Sequence, residues 1–167
     1  ENELPGIDEF RGLGPLSPIE SRRLHVEVLA ARGRFQRNAA AAVARNRRPR
    51  LAAALDRLRR HGIRIQEFAN DQQLAVERFS IAEITKAPRP FQGHQEARLK
   101  GEFARAQLTV DAGSLYIPAN QPLARLAFYL IEPESDDGLV TWNVIDEGLA
   151  VGQTYPIYRV VDSRAVI

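Results

Sequence analysis

The chain has 167 residues, 44% of them hydrophobic and 26% charged, proportions that suit one folded domain, with or without a helical appendage, and exclude disorder along its whole length. It contains no cysteine, which removes disulfide frameworks, cysteine-ligated zinc and thiol nucleophiles together. The net charge of +2 hides an uneven distribution: residues 20–66 carry thirteen Arg against three acidic residues, while the segments on either side are acidic. No apolar run reaches the roughly 20 residues of a membrane-spanning helix, and no basic-then-apolar leader opens the chain. An initial Glu and the absence of Met suggest a piece of something longer, with any targeting signal upstream.

Residues 1–16 read as an irregular lead-in rich in Pro and Gly. Ser17-Pro18-Ile19-Glu20 then combines a capping hydroxyl, a proline at the first helical position and a Glu three residues after the cap. The apolar spacing that follows predicts a helix to about Arg45, with a break near Gly33. A second helix is expected from Pro49, with Leu51, Leu55 and Leu58 on one face and His61-Gly62 as its stop. Residues 17–62 would thus form a helical hairpin.

Beyond Gly62 the spacing changes to short β-type runs separated by Pro, Gly and Asp. Strands are expected at 64–68, 74–84, 96–102, 106–111, 114–117, 125–131, 139–144 and 155–161. Asp111-Ala112-Gly113-Ser114 reads as the turn of a hairpin between 107–110 and 115–117. The expected fold is α+β: an N-terminal helical hairpin at 17–62 followed by an antiparallel β-sandwich or partial barrel at 63–167.

Candidate chemistry is sparse. A zinc site without cysteine needs His and carboxylate ligands, but the residues three positions after His25, His61 and His94 are Val28, Arg64 and Ala97. Neither a His-x-x-Glu pair nor a His-Glu-x-x-His helix is present, and a structural hydrogen bond is the favoured role of His94. Gly12-Leu13-Gly14 lacks the strand and third glycine of a dinucleotide loop and reads as a turn. The acidic run from Glu132 to Gly138 lacks the spacing of a calcium loop and reads as a solvated turn between strands.

Two binding alternatives stand beside this. Arg45, Arg47, Arg48, Arg50, Arg57, Arg59, Arg60 and Arg64 could face a polyanion. Yet the excess of Arg over Lys runs through the whole chain, and Phe35 is the sole aromatic between residues 20 and 66, so nucleic acid is disfavoured. Trp142 beside the acidic run suggests carbohydrate binding, against the more ordinary role of a core aromatic with its indole nitrogen hydrogen-bonded.

Several segments together carry a family resemblance. They are His61-Gly62-Ile63, Phe91-Gln92-Gly93-His94, Ala112-Gly113-Ser114, Gln121-Pro122-Leu123-Ala124-Arg125-Leu126, Leu130-Ile131-Glu132-Pro133-Glu134-Ser135-Asp136-Asp137-Gly138-Leu139, Trp142-Asn143 and Tyr155-Pro156-Ile157-Tyr158-Arg159. Their order and spacing over residues 50–160 resemble the C-terminal region of bacterial zinc carboxypeptidases of the carboxypeptidase A type. Glu9-Phe10-Arg11-Gly12, followed by Arg22 to Val28, is similar to the stretch around that family's catalytic glutamate, with Phe10 where the family more often has Thr. The resemblance implies that Glu9 is a general base acting with zinc ligands that lie upstream of residue 1. It also implies a secreted or periplasmic parent enzyme that removes C-terminal residues from peptides. This chain would be its non-catalytic accessory domain, without cofactor, metal or membrane contact of its own and partnered by the upstream catalytic domain.

Overall fold

The computed structural model describes residues 40–43, 49–146 and 148–161, with side chains from residue 51 onward. Their elements, in chain order, are β1 (Ala40–Val43), α1 (Pro49–Arg60), β2 (Gln66–Glu67), β3 (Gln72–Lys86), β4 (Ala97–Val110), β5 (Leu115–Pro118), α2 (Ala124–Ile131) and β6 (Ile157–Val160). The strands form one antiparallel sheet in the order β2-β5-β1-β6-β3-β4. The sheet is open, with β2 and β4 at its edges, and does not close into a barrel.

Helix α1 forms as its spacing predicts. Leu51, Ala54, Leu55 and Leu58 fall at i, i+3, i+4 and i+7 and are buried. Its end is a Schellman motif: the Gly62 N–H donates to Arg59 C=O at 2.9 Å and the Ile63 N–H to Leu58 C=O at 3.1 Å. Gly62 has φ +79°, and Ile63 and Leu58 supply the apolar contact that accompanies the motif. Arg57, Arg59 and Arg60 in the last turn face the negative end of the helix dipole.

Burial along the long β3–β4 hairpin changes parity. Leu74 and Val76 are buried in the first half of β3, Phe79 and Ile81 in the second. Because side chains alternate across a strand, the two halves bury opposite faces of the sheet. Phe79 and Ile81 join Ala97, Leu99, Ile117 and Ile157 in a cluster that also takes in α1 and α2. Leu74 and Val76 join Phe68, Val110 and Val160 on the other face. The register shifts between Ile81 and Glu83, a bulge opposite Gly101 and Lys100. A Cβ on Gly101 would stand 2.1 Å from Ser80 O, so glycine is required at this close approach.

Several expectations are corrected. Residues 125–131 are helical because Ala124, Ala127 and Ile131, at i, i+3 and i+7, bury one side of a short helix built of good helix formers. Residues 139–144 form successive turns closed by Trp142 N–H to Gly138 C=O and Asn143 N–H to Val140 C=O. The separate strands expected at 96–102 and 106–111 are replaced by the single strand β4 (Ala97–Val110), and the hairpin expected between 107–110 and 115–117 is absent. β5 pairs instead with β1 and β2. The helix expected to reach Arg45 gives way to strand at Ala40–Val43, where pairing with β5 and β6 on both sides outweighs alanine's helix propensity. The rest of that helix, and the lead-in at 1–16, lie outside the described residues. No helix among the described residues is long and apolar enough to cross a membrane.

Candidate functional site

Two loops far apart in sequence build one surface. The first is the tip of the β3–β4 hairpin. Phe91 and His94 exchange backbone hydrogen bonds of 2.8 and 2.9 Å around Gln92 and Gly93, whose φ values are +49° and +81°. That is a two-residue turn with both central residues left-handed, the primed geometry that suits strand twist. It holds Phe91 54% exposed, more than any other aromatic ring among the described residues.

The second loop is the acidic run after α2. Glu132 leaves the helix in extended conformation, and Leu139 N–H donates back to Leu130 C=O at 2.8 Å, closing the loop. Gly138 is required there, since a Cβ would meet Ser135 Cβ at 2.8 Å and Leu130 O at 3.0 Å. The acids are not merely solvated. The Glu134 carboxylate accepts from the Gly101 N–H at the edge of β4, Asp136 pairs with Arg98 at 3.4 Å, and Glu132 pairs with Arg159. Asp137 accepts the indole N–H of Trp142. The run ties α2 to β4 and β6 through charge-assisted contacts.

The two loops meet at Trp142 and Asn143. The half-buried Trp142 ring takes His94 edge-on, with centroids 5.7 Å apart, and lies 6.5 Å from Phe91. Asn143 Nδ2 donates to Gln95 C=O at 2.9 Å and to Asp146 at 3.0 Å. Asn143 has φ +59°; with Gln92 it makes up the non-glycine residues of positive φ found among the described residues, and both lie at this junction. Tyr129, 46% exposed, is nearby: burial of part of its ring and the charges of Asp137 and Asp136 raise its pKa, against a hydrogen bond from Ser135.

Beneath this surface Arg159 lies with its guanidinium 3.5 Å from the centroid of Phe103 and 5.5 Å from that of Phe128. It pairs with Glu132 and with Glu77, its directly opposed neighbour on β3. Tyr155 is fully buried, and its hydroxyl donates to Ile131 C=O at 3.0 Å. Burial, and secondarily the charge of Glu132, push its pKa well above the usual phenol value. At the far end of the sheet, the buried Gln121 amide accepts from Arg64 N–H at 2.7 Å and donates to Arg64 and Pro118 carbonyls, a side-chain substitute for strand pairing.

Glu9, His25 and Gly12-Leu13-Gly14 lie outside the described residues. His61 stands exposed at the end of α1, and His94 is held against Trp142. Among the described residues no group of three or more His, Asp or Glu side chains is placed to hold a metal ion. Of the arginines expected to face a polyanion, Arg57, Arg59, Arg60 and Arg64 are exposed; Arg60 pairs with Asp56 at 2.8 Å and Arg64 donates to Asn120 C=O. The indole nitrogen of Trp142 is hydrogen-bonded as expected, but its ring is half-buried at the surface and not in the core. The sequence reading missed Arg159 as a hub, and its one signal was position: it ends the Tyr155–Arg159 segment.

No family model and no solved structure matches the chain. It is similar to Carboxypeptidase 2 of Trichophyton tonsurans, 27% identical over 104 residues, and to Carboxypeptidase 2 of Trichophyton equinum, 26% identical over 103 residues. Each match covers 62% of this chain but spans 19% of the relative's length. These likenesses support a carboxypeptidase-related region in the chain, and both relatives are fungal.

Proposed function

We propose that this chain is a non-catalytic C-terminal accessory domain of a secreted or periplasmic zinc carboxypeptidase, whose catalytic domain removes C-terminal residues from peptides. The observation that carries this reading is the meeting of Phe91–His94, Glu132–Gly138 and Trp142-Asn143 on one surface, in a chain similar to Carboxypeptidase 2. The acids have partners within the chain, and the tip exposes Phe91 among the polar residues Arg89, Gln92 and Gln95. Such a surface suits burial against an apolar neighbour more than bond-breaking chemistry. Its work is to cover a hydrophobic face of the catalytic domain and shape the rim of the substrate cleft, restricting which peptides enter.

Zinc under this reading is held by the catalytic domain. His61 and His94 stand on separate elements and His94 packs against Trp142, and the proposal assigns them no catalytic step. The general-base role expected of Glu9 belongs to the same proposal. Deleting residues 63–167 from the longer enzyme tests it. Loss of thermal stability together with a changed preference among peptide substrates is expected; an enzyme unchanged in both would overturn the accessory role.

A further inference from the structure

Basic side chains are unevenly placed between residues 61 and 161. The connecting segments 68–71, 111–114, 119–123 and 132–156 hold none of the chain's 23 Lys and Arg, although the last of them is the longest stretch there outside helix and strand. The basic residues of this span lie in β3, β4, α2 or β6, with two exceptions. A bond inside a paired strand or a helix must leave its backbone hydrogen bonds before a protease can enclose it. The exceptions are Arg64 and Arg89, both exposed.

Each of these two is closed by its own device. An endoprotease that cleaves after basic residues takes the side chain in an acidic pocket and the carbonyl of the same residue in an oxyanion hole. At Arg64 that carbonyl already accepts a hydrogen bond from Gln121 Nε2 at 3.1 Å, and the Arg64 N–H donates to Gln121 Oε1 at 2.7 Å. The guanidinium donates to Asn120 C=O at 2.8 Å. Gln121 is 8% exposed, so this clamp is anchored in the folded interior. At Arg89 the following residue is Pro90, on the exposed tip of the β3–β4 hairpin. Proline has no N–H, and its ring fixes the backbone and crowds the peptide bond to be cut. Loop tips are otherwise where proteases nick first.

We infer that the folded region from residue 61 to 161 withstands endoproteases that cleave after Arg or Lys, with Pro90 and the Gln121 clamp guarding its two exposed loop arginines. The inference stands apart from the carboxypeptidase reading. Its basis is the placement of charge: the long loops offer such a protease nothing to hold, and where a loop does offer an arginine the bond after it is blocked.

Trypsin digestion of the native 167-residue chain, with cleavage positions read by mass spectrometry, tests the inference. No cut between residues 61 and 161 is expected under conditions that cleave the unfolded chain throughout. Pro90→Ala changes an exposed residue and is expected to gain a cut after Arg89, turning an undetectable fragment into a main product. Val151→Arg puts a basic side chain at a turn position that is 61% exposed, and is expected to gain a cut after residue 151. Gln121→Ala frees the Arg64 carbonyl and is expected to gain a cut there that Arg78 and Arg105, within the β3–β4 ladder, do not share. Cleavage of the unaltered chain within this span, or a P90A or V151R variant as resistant as the unaltered chain, would overturn the inference.

Discussion

Arg159 on β6 and Glu77 on β3 stand directly opposite each other, and the same guanidinium also reaches Glu132 at the end of α2 while sitting over the Phe103 ring. One buried side chain thereby fixes α2 and the acidic loop to three strands. Removing one member of such a network leaves the remaining charges desolvated, whatever the net worth of the intact network.

Arg159→Ala is therefore expected to destabilise the chain by about 3 kcal/mol in urea denaturation, and Arg159→Lys to recover less than half of that. Lysine keeps the charge but cannot reach two carboxylates with a planar fork. A loss below about 1 kcal/mol for the alanine variant would contradict the role assigned to this residue.

Tyr155 gives the chain an alkaline limit. Its folded-state pKa is raised, first by burial and then by Glu132, so the folded state holds this proton more tightly than the unfolded state does. The stabilisation is fully present below the unfolded phenol value of about 10 and is lost as pH rises beyond it. Tyr155→Phe should cost about 1–2 kcal/mol at pH 7 through the unsatisfied Ile131 carbonyl, and should flatten the fall in stability above pH about 10. Stability measured by urea titration at pH 7, 9.5 and 11 reads both effects.

Phe91 separates folding from docking. Exposed at a turn, it contributes little to the isolated chain, and Phe91→Ser should change its stability by less than about 0.5 kcal/mol. In the proposed longer carboxypeptidase the same substitution is expected to lower the melting temperature by a few degrees, roughly the effect of 1 kcal/mol. Equal, negligible shifts in both proteins would show that this tip is not covered by the catalytic domain.

The elements legible in the sequence are those whose signals are local. Helix α1 was readable because Leu51, Leu55 and Leu58 recur at helical spacing and His61-Gly62 ends it. The apolar run Ala124–Ile131 carries no such contrast, since every residue after Arg125 is apolar or aromatic and even its exposed face carries Tyr129, and it reads as well as a strand. Strand partners were not readable: β4 and β5 are joined by a four-residue turn yet lie at different places in the sheet, because β5 finds β1 and β2. The acidic run was visible as a turn, but its partners Arg98, Gly101 and Arg159 come from distant strands, and residue spacing does not encode them.

The most direct test of the central claim is a peptide-hydrolysis assay with added zinc, comparing this chain alone with the same chain joined to the sequence that precedes it in its natural protein. The accessory role predicts release of C-terminal residues by the longer protein and none by the 167-residue chain. Hydrolysis by the short chain alone would contradict it, and would place a complete catalytic centre within these residues.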